Sequence, residues 1–81
     1  MKEITVYGAD WCGDTRRALR QLDASGVTYN YINVDDDQDG ERKVIEYSKG
    51  KRRIPLVEIA SDDGRKSLCV PSDSELKSAL S

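Results

Sequence analysis

Tyr7-Gly8-Ala9-Asp10-Trp11-Cys12-Gly13-Asp14-Thr15 is the stretch on which the reading of this 81-residue chain turns. Before it, Ile4-Thr5-Val6-Tyr7 has the β-branched and aromatic make-up of a short strand ending at Gly8. After it, Cys12 to about Ala24 has helical spacing. Thr15, Ala18, Leu19 and Leu22 share one face, and Arg16, Arg17, Arg20 and Asp23 cover the rest. Cys12 thus stands where a strand hands over to a helix. The first helical turn carries unpaired backbone N–H groups and a partial positive charge of roughly half an electron, and both favour a thiolate. Thr15, three residues on, is placed to donate its hydroxyl to the sulfur. Asp14 opposes the thiolate as a like charge, and Arg16 and Arg17 are placed to offset it. The competing reading makes Cys12 a small buried hydrophobe, as free cysteines usually are. The turn, the helix start and Trp11 favour a reactive thiol.

The remaining elements follow from punctuation and periodicity. Ser25-Gly26 closes the first helix, and Val27 to Val34 reads as a second strand. An acidic loop, Asp35 to Asp39, leads to a helix over Gly40 to Ser48 with Val44, Ile45 and Ser48 inward. Gly50 ends it. Ile54 to Ile59 is a third strand, opened by Pro55, and Asp62-Asp63-Gly64 supplies a hairpin turn. Lys66 to Val70 returns as a fourth strand, and Pro71-Ser72-Asp73 opens a last helix carrying Leu76, Ala79 and Leu80. The order β-α-β-α-β-β-α predicts an α/β fold with a four-stranded mixed sheet flanked by three helices, as one domain over residues 1–81. The first two strands should be parallel, joined by a right-handed crossover.

Composition bounds the function. Lys and Arg number 13 against 15 Asp and Glu, a net charge of -2 that gives no support to a nucleic-acid partner. No stretch approaches the roughly 20 apolar residues that span a bilayer, so no membrane partner is expected. Met1-Lys2-Glu3-Ile4 runs into a strand pattern with no signal-peptide core, so a cytoplasmic location is expected. In a reducing compartment the two cysteines, Cys12 and Cys69, are not expected to form a structural disulfide. The chain has no histidine, so sulfur must be activated without an imidazole.

Three segments together carry a family resemblance. Tyr7 to Thr15 resembles the active-site segment of glutaredoxins, and more closely that of mycoredoxin-like members. Gly50-Lys51-Arg52-Arg53-Ile54-Pro55 is similar to the family's Gly-x-Arg-Thr-Val-Pro, and Val70-Pro71-Ser72-Asp73 stands where glutaredoxins carry Gly-Gly-x-Asp. The resemblance implies a thioredoxin-like (glutaredoxin) fold and a thiol-disulfide oxidoreductase with no covalently bound cofactor. Cys12 would be the nucleophile, and Pro55 would be cis and face it. Ile54 would pair its backbone with the bound thiol's peptide. Ser72 and Asp73 would hold the terminal amino and carboxylate groups of a glutathione-like ligand, and Arg52 would meet its other carboxylate. Thr15 replaces the second cysteine of dithiol members, which implies a monothiol route. Ala9 replaces the usual basic residue, so the co-substrate is glutathione or another low-molecular-weight thiol. The implied partners are that small thiol and disulfide-containing proteins, met by a monomer.

Each remaining feature has two readings. Cys69 is either a core or edge-strand residue or a resolving thiol for Cys12. Asp35-Asp36-Asp37-Gln38-Asp39-Gly40 with Glu46 fits a calcium-loop pattern, but a strand precedes it and Arg42 and Lys43 occupy unsuitable positions. It reads as an acidic cap on a helix, and no metal site is expected. Lys49, Lys51, Arg52 and Arg53 form either a solvated helix end or a steering patch for an anionic substrate. Trp11 is either an exposed platform beside the thiol or a partly buried anchor. Besides the oxidoreductase, two further functions are open. One is an iron-sulfur carrier resembling monothiol glutaredoxins, against which Asp14 and Thr15 stand in place of Phe and Ser. The other is a non-catalytic thioredoxin-fold binding module.

Overall fold

The structure, a computed structural model, describes residues 3–48, 50 and 53–80, the side chain of Leu80 excepted. The elements run β1 (Glu3–Gly8), α1 (Gly13–Ala24), β2 (Asn30–Asn33), α2 (Gln38–Tyr47), β3 (Leu56–Ser61), β4 (Gly64–Cys69) and α3 (Asp73–Leu80). The expected order and fold class are observed. The sheet order is β2-β1-β3-β4, with β1 parallel to β2 and antiparallel to β3, and β3 antiparallel to β4. Among the described residues no helix is long and apolar enough to cross a membrane.

Several boundaries differ from the expectation, each for a local reason. Cys12 has extended backbone angles and is the N-cap of α1 instead of its first helical residue. β2 starts at Asn30 and not Val27, because Val27 is still closing α1, its N–H reaching Leu22 O at 3.4 Å. α2 begins at Gln38, earlier than Gly40, because the Asp37 carboxylate accepts from Gly40 N at 2.9 Å and caps the helix. β3 begins after Pro55, which has no N–H to give the ladder. β4 begins at Gly64, whose φ of 134° closes the Asp62-Asp63 turn. α3 starts at Asp73, with Ser72 and Glu75 exchanging hydrogen bonds at 3.2 Å each, a reciprocal capping box.

The core has two parts, one on each face of the sheet. Ile4, Val6, Ala18, Leu22, Val57, Ile59 and Leu76 pack between the sheet and α1 and α3. Tyr7, Val34, Val44 and Leu56 pack under α2. The alternation along β1 produces this split, since successive side chains of a strand point to opposite faces. Burying a side chain such as Leu22 fully contributes roughly 1.5–3 kcal/mol, which matters in so short a chain.

On the α2 face, Glu58 is nearly buried and pairs with Lys43 at 2.8 Å and Arg65 at 3.7 Å. The Lys43 ammonium also lies 5.4 Å from the Tyr7 ring centre. The Glu58 hydrogen bond outweighs partial burial and raises Lys43 above a lysine's ordinary value of 10.5. The stability gained from this charge is therefore complete below that ordinary value and is lost as pH rises through the raised one. Lys43→Met should lower the urea midpoint at about pH 7, and the deficit should shrink as the native lysine deprotonates in strong alkali.

A closer constraint ties β1 to α1. A Cβ on Gly8 would fall 2.5 Å from Thr15 Oγ1 and nearer still to Cγ2. Thr15 is fully buried and short, so it has nowhere to move. Gly8→Ala should cost about 1–3 kcal/mol by overpacking. Adding Thr15→Ala should recover part of that loss, a coupling measurable in a double-mutant cycle of denaturation midpoints.

Candidate active site

The site is built from three chain segments meeting at one end of the sheet. β1 ends at Gly8, and Ala9 to Cys12 forms a turn closed by Cys12 N to Ala9 O at 3.1 Å. The Cys12 carbonyl then accepts the first helical bond, from Arg16 N at 3.1 Å. Cys12 is half-buried, and its side chain makes no capping bond, so the sulfur is not spent on the helix it introduces. Sγ instead lies 4.0 Å from the Ile54 carbonyl oxygen. The Ile54–Pro55 peptide is cis, as the resemblance implies, and Pro55 is buried. Pro55 O in turn accepts from Val70 N at 2.8 Å, bringing the end of β4 to the same place.

The structure places Thr15 in packing contact with Gly8, its hydroxyl 3.4 Å from Ala9 N as acceptor. Its oxygen therefore serves the turn that carries Cys12. Ala9, where the family usually carries a basic residue, is fully buried. Trp11 is 65% exposed and forms a flat surface next to the thiol. Its indole Nε1 donates to Asp35 at 2.7 Å.

Ser72 and Asp73 flank the start of α3 and are exposed. The Ser72 N–H already donates to the Glu75 carboxylate, so a ligand carboxylate there must displace a native one. Asp73 lies 3.9 Å from Arg17, which also pairs with Asp14 at 3.1 Å. Arg17 is thus a cation that offsets Asp14, as expected. Arg52, with Lys49 and Lys51 of the basic run, lies outside the described residues; Arg53 is exposed beside Ile54. Val70, in place of a family glycine, has φ 45°, a left-handed angle that a β-branched residue adopts only under strain.

Cys69 is exposed on β4, an edge strand, and is paired in register with Leu56. Among the described residues no group of His, Cys, Asp and Glu is arranged to hold a metal ion. In the acidic loop, Asp37 caps α2 as read from the sequence.

Sequence reasoning missed Tyr31, Asp10, Asp35 and Glu75. Tyr31 on β2 donates its hydroxyl to Asp10 at 2.7 Å, across 21 residues. Nothing in linear spacing signals that bond or the Trp11–Asp35 one. The Glu75 contact was legible, because Ser72-x-x-Glu75 is a capping-box pattern.

Comparison with known proteins agrees with this geometry. The glutaredoxin family model matches residues 4–63. Mycoredoxin 1 of Corynebacterium glutamicum is 37% identical over 57 residues, covering 70% of each chain. A Mycobacterium tuberculosis protein classed as a glutaredoxin is 30% identical over 77 residues, 95% of this chain and 88% of that one. Among solved structures, a glutaredoxin of Archaeoglobus fulgidus superposes with a TM-score of 0.68 at 27% identity, over 99% of this chain and 87% of that one. The glutaredoxin-like NrdH-redoxin of Escherichia coli shares the fold, with a TM-score of 0.74 at 24% identity over 94% and 92%. With its strand-to-helix thiol, its cis-proline and these relatives, the chain belongs to the glutaredoxin family, whose members are thiol-disulfide oxidoreductases.

Proposed function

We propose that this chain reduces mixed disulfides between proteins and a low-molecular-weight thiol, by a monothiol route through Cys12. The observation that carries the reading is the placement of Cys12. Its sulfur is unspent at the N-cap of α1 and lies beside the Ile54 carbonyl, while Thr15 fills the position of a resolving cysteine and is fully buried. A thiolate there gains from the unpaired N–H groups of the first turn. Trp11 serves as a platform for the incoming disulfide, and the Ile54 backbone next to Pro55 aligns the substrate chain. Ser72 and Asp73 remain the candidates for the ends of the small thiol, as does Arg52 for its other carboxylate. The chain acts as one domain and as a monomer.

The cycle has two exchanges. In the first, the Cys12 thiolate attacks the small-thiol sulfur of the mixed disulfide. A Cys12–small-thiol disulfide forms, and the protein sulfur leaves as a thiolate that takes up a proton. In the second, the thiolate of a second small-thiol molecule attacks that adduct's small-thiol sulfur. The small-thiol disulfide leaves, and the Cys12 thiolate returns. Family members use glutathione or mycothiol in this role. The absence of a cation at Ala9 and the Glu75 carboxylate on Ser72 both weaken recognition of glutathione carboxylates, which favours a thiol with fewer anionic groups.

Cys12→Ser should abolish turnover of a mixed-disulfide substrate, while Cys69→Ser should retain most of it. Equal loss in the Cys69 variant would defeat the monothiol route. Mass spectrometry after exposure to oxidised glutathione or oxidised mycothiol should find one small thiol added, on Cys12. A Cys12–Cys69 disulfide in its place would assign Cys69 as the resolving thiol.

A further inference from the structure

The loop that presents Cys12 is held from outside by β2. Tyr31 lies opposite Val6 in the parallel pairing of β1 and β2, and its ring packs against the Ile4, Val6, Ala18 and Leu22 cluster. The partly buried ring thus rests on the core, and its hydroxyl donates to Asp10 Oδ1 at 2.7 Å. Asp10 is two residues before Cys12. One turn further along, Asp35 takes the Trp11 indole N–H at 2.7 Å. Both bonds run from one edge of the sheet to consecutive residues of the active-site loop.

Three carboxylates stand near the thiol in sequence or space, and each has a partner. Asp14 on α1 pairs with Arg17, Asp35 after β2 accepts from Trp11, and Asp10 accepts from Tyr31. Further charged groups on the adjoining segments are Arg16 on α1, Arg53 before the cis-proline, and Asp73 at the start of α3, which lies 3.9 Å from Arg17. An unscreened like charge near 4 Å opposes a thiolate by about 1 kcal/mol even in water, so where these carboxylates point affects reactivity.

Resting on the reading of Cys12 as the reactive thiol, we propose that Tyr31 is a positioning residue for the reaction: its hydroxyl holds the Asp10 carboxylate toward β2 and away from the sulfur, and fixes the turn that carries Cys12. Burial, then the hydrogen bond to Asp10, then the charges of Asp10, Asp35 and Cys12 raise the phenol above its ordinary value of 10.0. Tyr31 is therefore a protonated donor wherever the thiol works.

The test is the pH profile of Cys12 alkylation by iodoacetamide, followed on its own proteolytic peptide by mass spectrometry. The native chain, Tyr31→Phe, Asp10→Asn and the double variant are compared. Phenylalanine keeps the ring packing, and circular dichroism and the urea midpoint check folding. Tyr31→Phe should move the profile to higher pH and lower the rate at about pH 7 by up to roughly fivefold, the Coulomb scale of one exposed carboxylate. In the Asp10→Asn background the same change should have little effect on the profile. Trp11, the sole tryptophan, should show altered fluorescence anisotropy in Tyr31→Phe as the loop loosens. A Tyr31→Phe profile superimposed on the native one, with only stability lowered, overturns the positioning role. So does a shift that persists without the Asp10 carboxylate. If native Cys12 alkylates no faster than a free thiol, both this role and the proposed redox function fall.

Discussion

The close approach of Gly8 to Thr15 governs how the rest of the site is assembled. β1 must end and α1 must begin within a few residues, and a Cβ at position 8 would occupy the space that the Thr15 side chain fills. Because that space is free, Thr15 packs fully buried against the strand end, with its oxygen on the Ala9 N–H. The turn from Ala9 to Cys12 then has one course. Cys12 comes out at the helix start with its sulfur 4.0 Å from the Ile54 carbonyl oxygen, just before the cis Ile54–Pro55 bond. A threonine where dithiol relatives carry cysteine thus serves as a packing wedge, even though it removes a local redox partner.

Electrostatics around the thiol follow from the same compact geometry. The turn that presents Cys12 carries Asp10 and leads into Asp14, and the chain has no histidine. The structure answers with partners: Arg17 on Asp14, Tyr31 on Asp10, and Trp11 on Asp35. The Tyr31 and Asp35 bonds also tie the turn before α1 to β2 and the loop after it, so charge balance and loop order come from the same contacts there. Arg17 reaches from α1 to Asp73 on α3, and β2 reaches the active-site turn.

The opposite face carries a different kind of polar contact. Glu58 lies nearly buried between Lys43 and Arg65, under α2. Breaking such a pair leaves a charge without its counter-charge in a poorly solvated place, so it restricts how α2 seats on the sheet. Val70 shows a related local conflict. Its left-handed backbone at a family glycine position is accompanied by a 2.8 Å bond from its N–H to Pro55 O.

The element order, the sheet's parallel and antiparallel pairs, the cis-proline position and the cysteine at a helix start were all legible in the chain. The cis-proline was implied by the family resemblance; the others depend on local signals: β-branched runs, glycine stops, a hairpin turn and short motifs with fixed spacing. Element ends were less legible, since a cap or a missing N–H moves them by one to three residues, as at Asp37 and Pro55. The Gly8–Thr15 contact, the buried state of Ala9 and the bonds from Tyr31 and Asp35 belong to tertiary structure alone. They join residues up to 24 positions apart, and only folding brings them within hydrogen-bond distance. By itself the sequence determined that this protein is a glutaredoxin-like fold with one thiol at a strand-to-helix junction. Tertiary structure decided that Thr15 is a wedge, that Glu75 already occupies the Ser72 N–H, and that β2 holds the turn presenting Cys12. The physical reason is distance: helical and strand periodicities act over a few residues, whereas the site is made by contacts between elements.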